Sequence, residues 1–296
     1  MTPRLDRLHY LSEHFLLPLA TVFAVGLFAL FPNSISLNIQ IVGLALMVIV
    51  LGLPHGALDP WIAEQTGLQR TLKHQIAFNL AYVFVALCVV VAWSFAPVVS
   101  LLIFLWISAW HFSADWANQI PKPLQLLMGC LLILMPICFH TDQVALIFAH
   151  LSGDGGAKLA YFMALDPLII LAAMMVLIAY AALTKATKAM TDFVALLVLS
   201  FVAPPLVYFA LYFCLLHSPR HLIGIFRSAD TKQHKRLSKM MVIYTLMTLV
   251  PIGLLGGYWF DLAADELYLR LVFIGLAAVT VPHMMLIALN HYRASS

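Results

Sequence analysis

Residues 75 to 95 read QIAFNLAYVFVALCVVVAWSF, a run without one Asp, Glu, Lys or Arg. At 1.5 Å per residue a helix of that length covers about 30 Å, the hydrocarbon thickness of a bilayer. Backbone donors and acceptors in hydrocarbon must be paired within the spanning segment, which selects a helix. The run lacks the alternation of a barrel strand.

Further apolar runs flank it: Phe15 to Phe31, Ile35 to Leu58, Val98 to Trp116, Leu124 to Phe139, Leu159 to Leu183, Phe193 to Leu216, Met240 to Tyr258 and Tyr268 to Asn290. Across 296 residues, 63% are hydrophobic and 10% charged, against about 25% charged in a soluble domain. A water-soluble core has no place for that excess. The fold class is therefore all-α, a polytopic transmembrane helical bundle, expected in the cell (inner) membrane. No cleavage site follows the first apolar run convincingly, so that run is expected to be a retained span. No repeat and no low-complexity linker is visible, and residues 1–296 read as a single membrane domain.

Charge sets the span count. With a cytoplasmic N-terminus, the connectors after the second and fourth runs carry Arg70, Lys73 and Lys122, while those near Ser34 and Pro97 carry no Lys or Arg. This is the positive-inside pattern. Nine crossings would then leave Arg220, Arg227, Lys232, Lys235, Arg236 and Lys239 outside. One crossing more or fewer restores the rule, so the expectation is eight or ten spans. The stretches in question are His140 to Asp166, where Gln143 to Leu151 is too short to span, and the run broken at Pro204 and Pro205.

The net charge of +3 is small and scattered through connectors, which argues against a nucleic-acid partner. Cys88, Cys130, Cys138 and Cys214 lie inside apolar runs without a CxxC pair and read as small core residues.

Histidine carries the chemistry. His9, His14, His74, His234 and His291 fall in or beside polar connectors, and His140 and His150 flank the short stretch. The remaining five lie within apolar runs or, for His217 and His221, directly after one, where an ionisable side chain is costly and signals function. His55 precedes Asp59 by four residues, His111 precedes Asp115 by four, His217-Ser-Pro-Arg-His221 repeats that spacing, and His283 follows Pro282. Residues four apart share a helix face, so two imidazoles there reach one ion, and imidazole suits Zn, Cu, Fe or Ni. With the corrected topology all five histidines fall in the cytoplasmic halves of their spans. Asp59 and Asp115 are then either direct ligands or acceptors of the N–H that a metal-bound imidazole leaves free. Pro54 and Pro219 each remove a backbone donor beside a candidate ligand, and Gly56 permits close backbone approach.

At Gly52 to Asp59, Ser108 to Asp115, His217 to His221 and Pro282-His283 the sequence resembles the Brp/Blh family, membrane enzymes that cleave β-carotene centrally to two molecules of retinal. The resemblance extends over nearly the whole chain in length and hydropathy. It implies an Fe(2+) site on His55, His111, His217 and His221, with His283 nearby. It also implies β-carotene and O2 as substrates, and a retinal acceptor such as a rhodopsin apoprotein. One departure stands at Ser113, where the family pattern has glycine after His-Phe; the serine is expected to narrow the cavity or add a hydrogen bond.

A hydrocarbon substrate would arrive from the bilayer through an apolar tunnel. Trp106, Trp110, Phe112, Tyr208, Phe209 and Tyr212 lie within about two turns of the candidate ligands, and either line such a tunnel or anchor helix ends at the interface. Two other functions compete. A di-metal lipid or carotenoid oxidase or hydroxylase would use more HxxxH and HxxHH clusters than the single HxxxH here. A transporter with a His/Asp relay would thread polar groups through the membrane depth rather than gather them toward one face.

Overall fold

Capping chemistry marks where the chain enters its helices. Ser36 and Thr71 accept hydrogen bonds from the backbone N–H groups of Ile39 and His74, and the Asp166 carboxylate accepts from Leu168 at 2.8 Å. Pro97, Pro167 and Pro205 stand at first helical positions, where no N–H is required. The computed structural model describes residues 15–31, 35–69, 71–259 and 261–295. His9, His14 and Arg70 lie outside the described residues, as do the side chains of His291 and Arg293.

The helices in chain order are α1 (Leu16–Leu30), α2 (Leu37–Gln65), α3 (Leu72–Phe95), α4 (Pro97–Trp116), α5 (Lys122–Phe139), α6 (Thr141–Ser152), α7 (Asp154–Met163), α8 (Pro167–Leu183), α9 (Thr187–Val202), α10 (Pro205–Ser228), α11 (Thr231–Gly257) and α12 (Ala264–Asn290). Among the described residues there is no strand. Among the described residues, seven helices (α2 to α5 and α10 to α12) are long and apolar enough to cross a membrane, and the α7/α8 pair, bent by 60°, makes eight if counted as one span. The all-α multi-pass bundle is thus present, at the lower end of the expected count.

Two of the sequence runs divide. Phe193 to Leu216 is split between α9 and α10, because Pro204 pushes Ala203 out of the helical region (φ −96°, ψ 139°) and Pro205 has no N–H to continue the ladder. Leu159 to Leu183 breaks between α7 and α8. The short apolar stretch Gln143 to Leu151 belongs to α6, which reverses into α7 through Gly153 at φ +70°, a conformation glycine adopts without strain.

Many large apolar side chains point outward, among them Phe23, Leu80, Phe84 and Leu254. Such a surface fits a multi-pass membrane protein. Inside, α4 and α5 pack at backbone distance: a Cβ on Gly129 would stand 2.1 Å from the Ala109 carbonyl oxygen. By contrast, α3 and α11 sit at the periphery, with almost none of their apolar length buried. The four cysteines are unpaired.

Candidate metal centre

Two helices reach the centre through the same local device. In α2 the residues Val48–Gly52 form a π-turn followed by Leu53 and Pro54, and His55 comes next. In α10 Phe213–His217 form a π-turn followed by Ser218 and Pro219, with His217 at its end and His221 one turn on. A proline ring clashes with the carbonyl four residues back in an α-helix, and a widened turn relieves this. The two turns pack on one another. A Cβ on Gly52 would lie 2.6 Å from the Phe213 ring. The Ser218 hydroxyl donates to the Leu51 carbonyl and also reaches the Gly52 carbonyl at 3.4 Å.

This packing brings five imidazoles around one point. Ring centroids lie 5.3, 5.5 and 5.6 Å from His55 to His217, His221 and His283. His111 stands 4.8 Å from His217 and 5.3 Å from His283, and His221 stands 5.4 Å from His283. One nitrogen each from His55, His111 and His217 falls within 4.8 Å of the others, close enough to hold a metal ion. His55, His217 and His283 are buried.

Hydrogen bonds fix which nitrogen faces the centre. His55 Nδ1 lies 2.5 Å from the Gly52 carbonyl, which only accepts, so Nδ1 carries the proton and Nε2 keeps its lone pair. His217 Nδ1–H donates to Asp115 at 3.0 Å, and Asp115 also accepts the Tyr212 hydroxyl at 2.7 Å. His283 Nδ1–H donates to Asp59 at 2.7 Å, and Asp59 accepts the Tyr82 hydroxyl at 2.8 Å. Nε2 of His217, His221 and His283 is left buried with no hydrogen-bond partner. Each unpartnered acceptor costs about 1–3 kcal/mol, and a cation among them removes that cost. The donor set therefore fits a metal.

Of the two roles weighed for the carboxylates, Asp59 and Asp115 each take that of accepting an imidazole N–H. Asp59 stands four residues after His55 and Asp115 four after His111, yet each serves a histidine on another helix. The helix relaxes between the members of each pair: Leu58 takes φ −94°, ψ 4°, and Ala114–Trp116 tighten to a 3-10 turn. His283, expected behind the ligands, stands in the ring of imidazoles with them and is oriented by a carboxylate just as His217 is. Sequence reasoning missed Tyr82 and Tyr212 as partners of these carboxylates, and also Asp192. Asp192 accepts from Arg220 at 2.7 Å and from the Trp116 indole at 3.0 Å, in the interior beside His221. A lone acid in the apolar length of α9, set against an arginine inside HSPRH, was the available signal.

A cavity of about 550 Å³ opens from the imidazoles, lined mostly by apolar groups of α2, α3, α4, α10, α11 and α12. His55, His111 and His283 form part of its wall, with Phe112, Phe209 and Phe213. Of the six aromatics expected near a tunnel, Phe112 and Phe209 line this cavity. Trp106 and Trp110, four residues apart, face outward on α4, and Lys122 lies over the Trp110 ring at 5.8 Å. Tyr208 lines a separate cavity of about 90 Å³, and Tyr212 is wholly buried against Asp115. Ser113 does not line the main cavity: its hydroxyl donates to the Trp110 carbonyl at 2.7 Å, and its Cβ faces Gly129. The hydrogen bond is present and the narrowing is not. The other histidines are held elsewhere: His74 by Thr71, His140 by the Ser200 carbonyl, His234 by the Phe226 carbonyl, and His150 lies 3.8 Å from Asp265.

The family profile described as β-carotene 15,15′-dioxygenase matches residues 46–291. A β-carotene 15,15′-dioxygenase from uncultured marine bacterium 66A03 is 32% identical over 253 residues, covering 81% of this chain and 90% of that protein. No solved structure matches the chain. The matched region contains all five clustered histidines and both carboxylates that orient them, and the chain belongs to the β-carotene 15,15′-dioxygenase family of oxidoreductases.

Proposed function

We propose that the chain cleaves the central double bond of β-carotene with O2 to two molecules of all-trans-retinal, using Fe(2+) held by His55, His111, His217 and His221, with His283 as a further ligand. The observation that carries this reading is the set of unpartnered imidazole nitrogens facing one point on the wall of an apolar cavity. One ion fits that point. A di-metal oxidase would need a second cluster. A relay would need a chain of ionisable groups beyond the histidine end, where the cavity walls are mostly hydrocarbon.

In the overall reaction one C=C bond gives two C=O bonds, each carbon taking one atom of O2, so the protein supplies no nucleophile and no net proton. A bound ferrous ion supplies dioxygen activation. The protein's part is orientation and exclusion. Asp59, Asp115 and the Gly52 carbonyl hold three Nδ1–H groups, which fixes tautomer and ring direction. Phe112, Phe209 and Phe213 keep water from the cavity and offer a polyene an apolar surface.

Orientation in the membrane follows from charge. Arg236 at the start of α11 pairs with Glu64 at the end of α2 at 2.6 Å, so the basic connector before α11 lies at the histidine end of the bundle. Positive-inside bias supports a cytoplasmic placement of that end, in the inner cell membrane proposed for the protein. The experiment is expression in a bacterium that accumulates β-carotene, with extraction and chromatography of the pigments. Retinal accumulates at the expense of carotene, and His55→Ala abolishes it. Unchanged carotene with folded, iron-loaded protein refutes the reading.

A further inference from the structure

Arg220 stands between two candidate ligands in His217-Ser-Pro-Arg-His221, and orientation of the imidazoles makes no use of it. Its Nη2 donates to Asp192 of α9 at 2.7 Å, and the Trp116 indole donates to the same carboxylate at 3.0 Å. Its Nε and Nη1 are buried with no hydrogen-bond partner. Asp115 lies within electrostatic reach of the guanidinium. A clamp between α9 and α10 does not by itself require charge, because apolar residues of similar volume hold two helices as well as a buried ion pair does.

The charges around the imidazoles give the pair a use. The side chains of Asp59, Asp115, Asp192 and Arg220 are 2, 9, 2 and 9% exposed. Each carboxylate is an acceptor: Asp59 from His283 and Tyr82, Asp115 from His217 and Tyr212, Asp192 from Arg220 and Trp116. Acceptor-only oxygens are those of ionised carboxylates, and a buried arginine keeps its proton. With neutral imidazoles, three negative charges and one positive leave −2. Lys188, four residues before Asp192 on α9, is only partly buried, so solvent screens it. One dication makes the buried cluster neutral. A trication leaves an uncompensated positive charge where water does not reach it.

From this sum, and resting on the Fe(2+) reading above, we infer that Arg220 and Asp192 set the oxidation state in which the site holds its iron. Asp192 cancels Arg220, so that Asp59 and Asp115 together balance a dication. Loss of one electron from the ferrous ion to O2, which yields a ferric ion and superoxide, is thereby opposed. Without Arg220 the same carboxylates would match a trication instead. The guanidinium thus keeps the site ferrous in contact with the oxidant that its reaction consumes.

Three variants test the sum on iron-loaded protein in detergent, read by reduction potential with mediators under argon and by the paramagnetic resonance of ferric iron. At an effective dielectric of about 20 and a separation of about 12 Å, one unit charge changes the ferrous-to-ferric ratio about tenfold, or about 59 mV for one electron. Arg220→Gln, read at pH 9 so that Asp192 stays ionised, is expected to lower the potential by that amount and to accumulate ferric signal in air. Asp192→Asn is expected to raise it by the same amount, because the arginine cannot discard its charge. Combining Arg220→Gln with Asp192→Asn restores both the sum and the wild-type potential. A helix clamp would be broken in all three variants and would move every potential the same way. Monodisperse elution and one iron per chain after loading with excess ferrous ion establish that a variant is folded, and either single variant beside the double one decides the matter. Potentials that stay put in the single variants, or that move equally in single and double variants, overturn the inference while retinal formation by the wild type leaves the cleavage reading intact. Iron-loaded wild type that forms no retinal overturns the cleavage reading without touching the potentials, and a chain that takes up no iron overturns both.

Discussion

Replacing Asp59 with Asn separates the orientation of His283 from every other property of the site. Asp59 is buried and accepts two hydrogen bonds, from His283 Nδ1–H at 2.7 Å and from the Tyr82 hydroxyl at 2.8 Å. Asparagine keeps the shape but offers one oxygen. If that oxygen faces His283, Tyr82 still donates to the Val279 carbonyl 3.1 Å away, and no hydroxyl is orphaned. What is lost is charge assistance, which makes such a bond about twice as strong as its neutral counterpart. If the amide nitrogen faces His283 instead, the imidazole is forced into its other tautomer with Nε2–H toward the metal. Loss of such an orienting partner lowers metal affinity about 10- to 100-fold, or about 1.4–2.8 kcal/mol at 1.4 kcal/mol per decade. The first arrangement gives the low end and the second the high end. The assay is competition with a chelator of known affinity, carried out in three backgrounds. In wild type and in His55→Gln the cost of Asp59→Asn is expected in full. In His283→Gln it is expected to shrink to within about twofold, because there is no imidazole left to orient. Equal costs in the His283→Gln and wild-type backgrounds, or a cost that vanishes with His55, would refute the crossed pairing.

Three further outcomes follow from the packing. Asp192→Asn strips the charge partner from Arg220, whose side chain is only 9% exposed; the expected cost is about 3–5 kcal/mol, seen as a large fall in thermal midpoint with the metal bound. Ser218→Ala removes the hydroxyl that serves the Leu51 and Gly52 carbonyls and is expected to cost about 1–3 kcal/mol, measured the same way, together with weaker iron binding because both π-turns loosen. Gly129→Leu places a Cβ 2.1 Å from the Ala109 backbone oxygen, which cannot move without separating α4 from α5. It is expected to abolish monodisperse protein in size-exclusion chromatography, whereas Ser113→Gly on the opposing helix stays within about 1 kcal/mol of wild type.

The bundle was readable because hydrocarbon tolerates so few sequences: long uncharged runs announce spans, and a histidine inside one is conspicuous. His55, His111 and His283 stood out on that ground, and His217 and His221 by their spacing of four at the end of one such run. Their pairing with Asp59 and Asp115 was not legible, since spacing of four predicts a shared face only where the helix stays regular, and at Leu58 and Ala114 it does not. Nearness in sequence to a ligand was a poor guide to the cavity wall for a related reason. Trp110 is adjacent to His111, but a step of one residue turns about 100° around a helix, which carries Trp110 to the outer surface while His111 faces inward. Span number suffered from Pro204 and Pro205, which end one helix and start another inside a run of uninterrupted hydropathy.

The coincidence of π-turn, proline and histidine in α2 and α10 has a geometric cause. A straight helix presents side chains to a neighbour at intervals of a full turn, too coarse to aim three imidazoles from two helices at one point. A π-turn inserts one residue and rotates everything after it by about 100°. His55 and His217 both follow or end such a turn, and the two turns are locked together where Phe213 crosses Gly52 and the Ser218 hydroxyl donates to the Leu51 carbonyl of α2. Such irregularities disturb the backbone pairing that a bilayer demands, and at the α2 turn the Ser218 hydroxyl of α10 supplies a donor to the Leu51 and Gly52 carbonyls. Regularising one helix, for instance by deleting a single residue within Val48–Gly52, would rotate His55 away from the centre and strand the Ser218 hydroxyl at once. The metal site and the packing of these two helices are therefore a single structural unit.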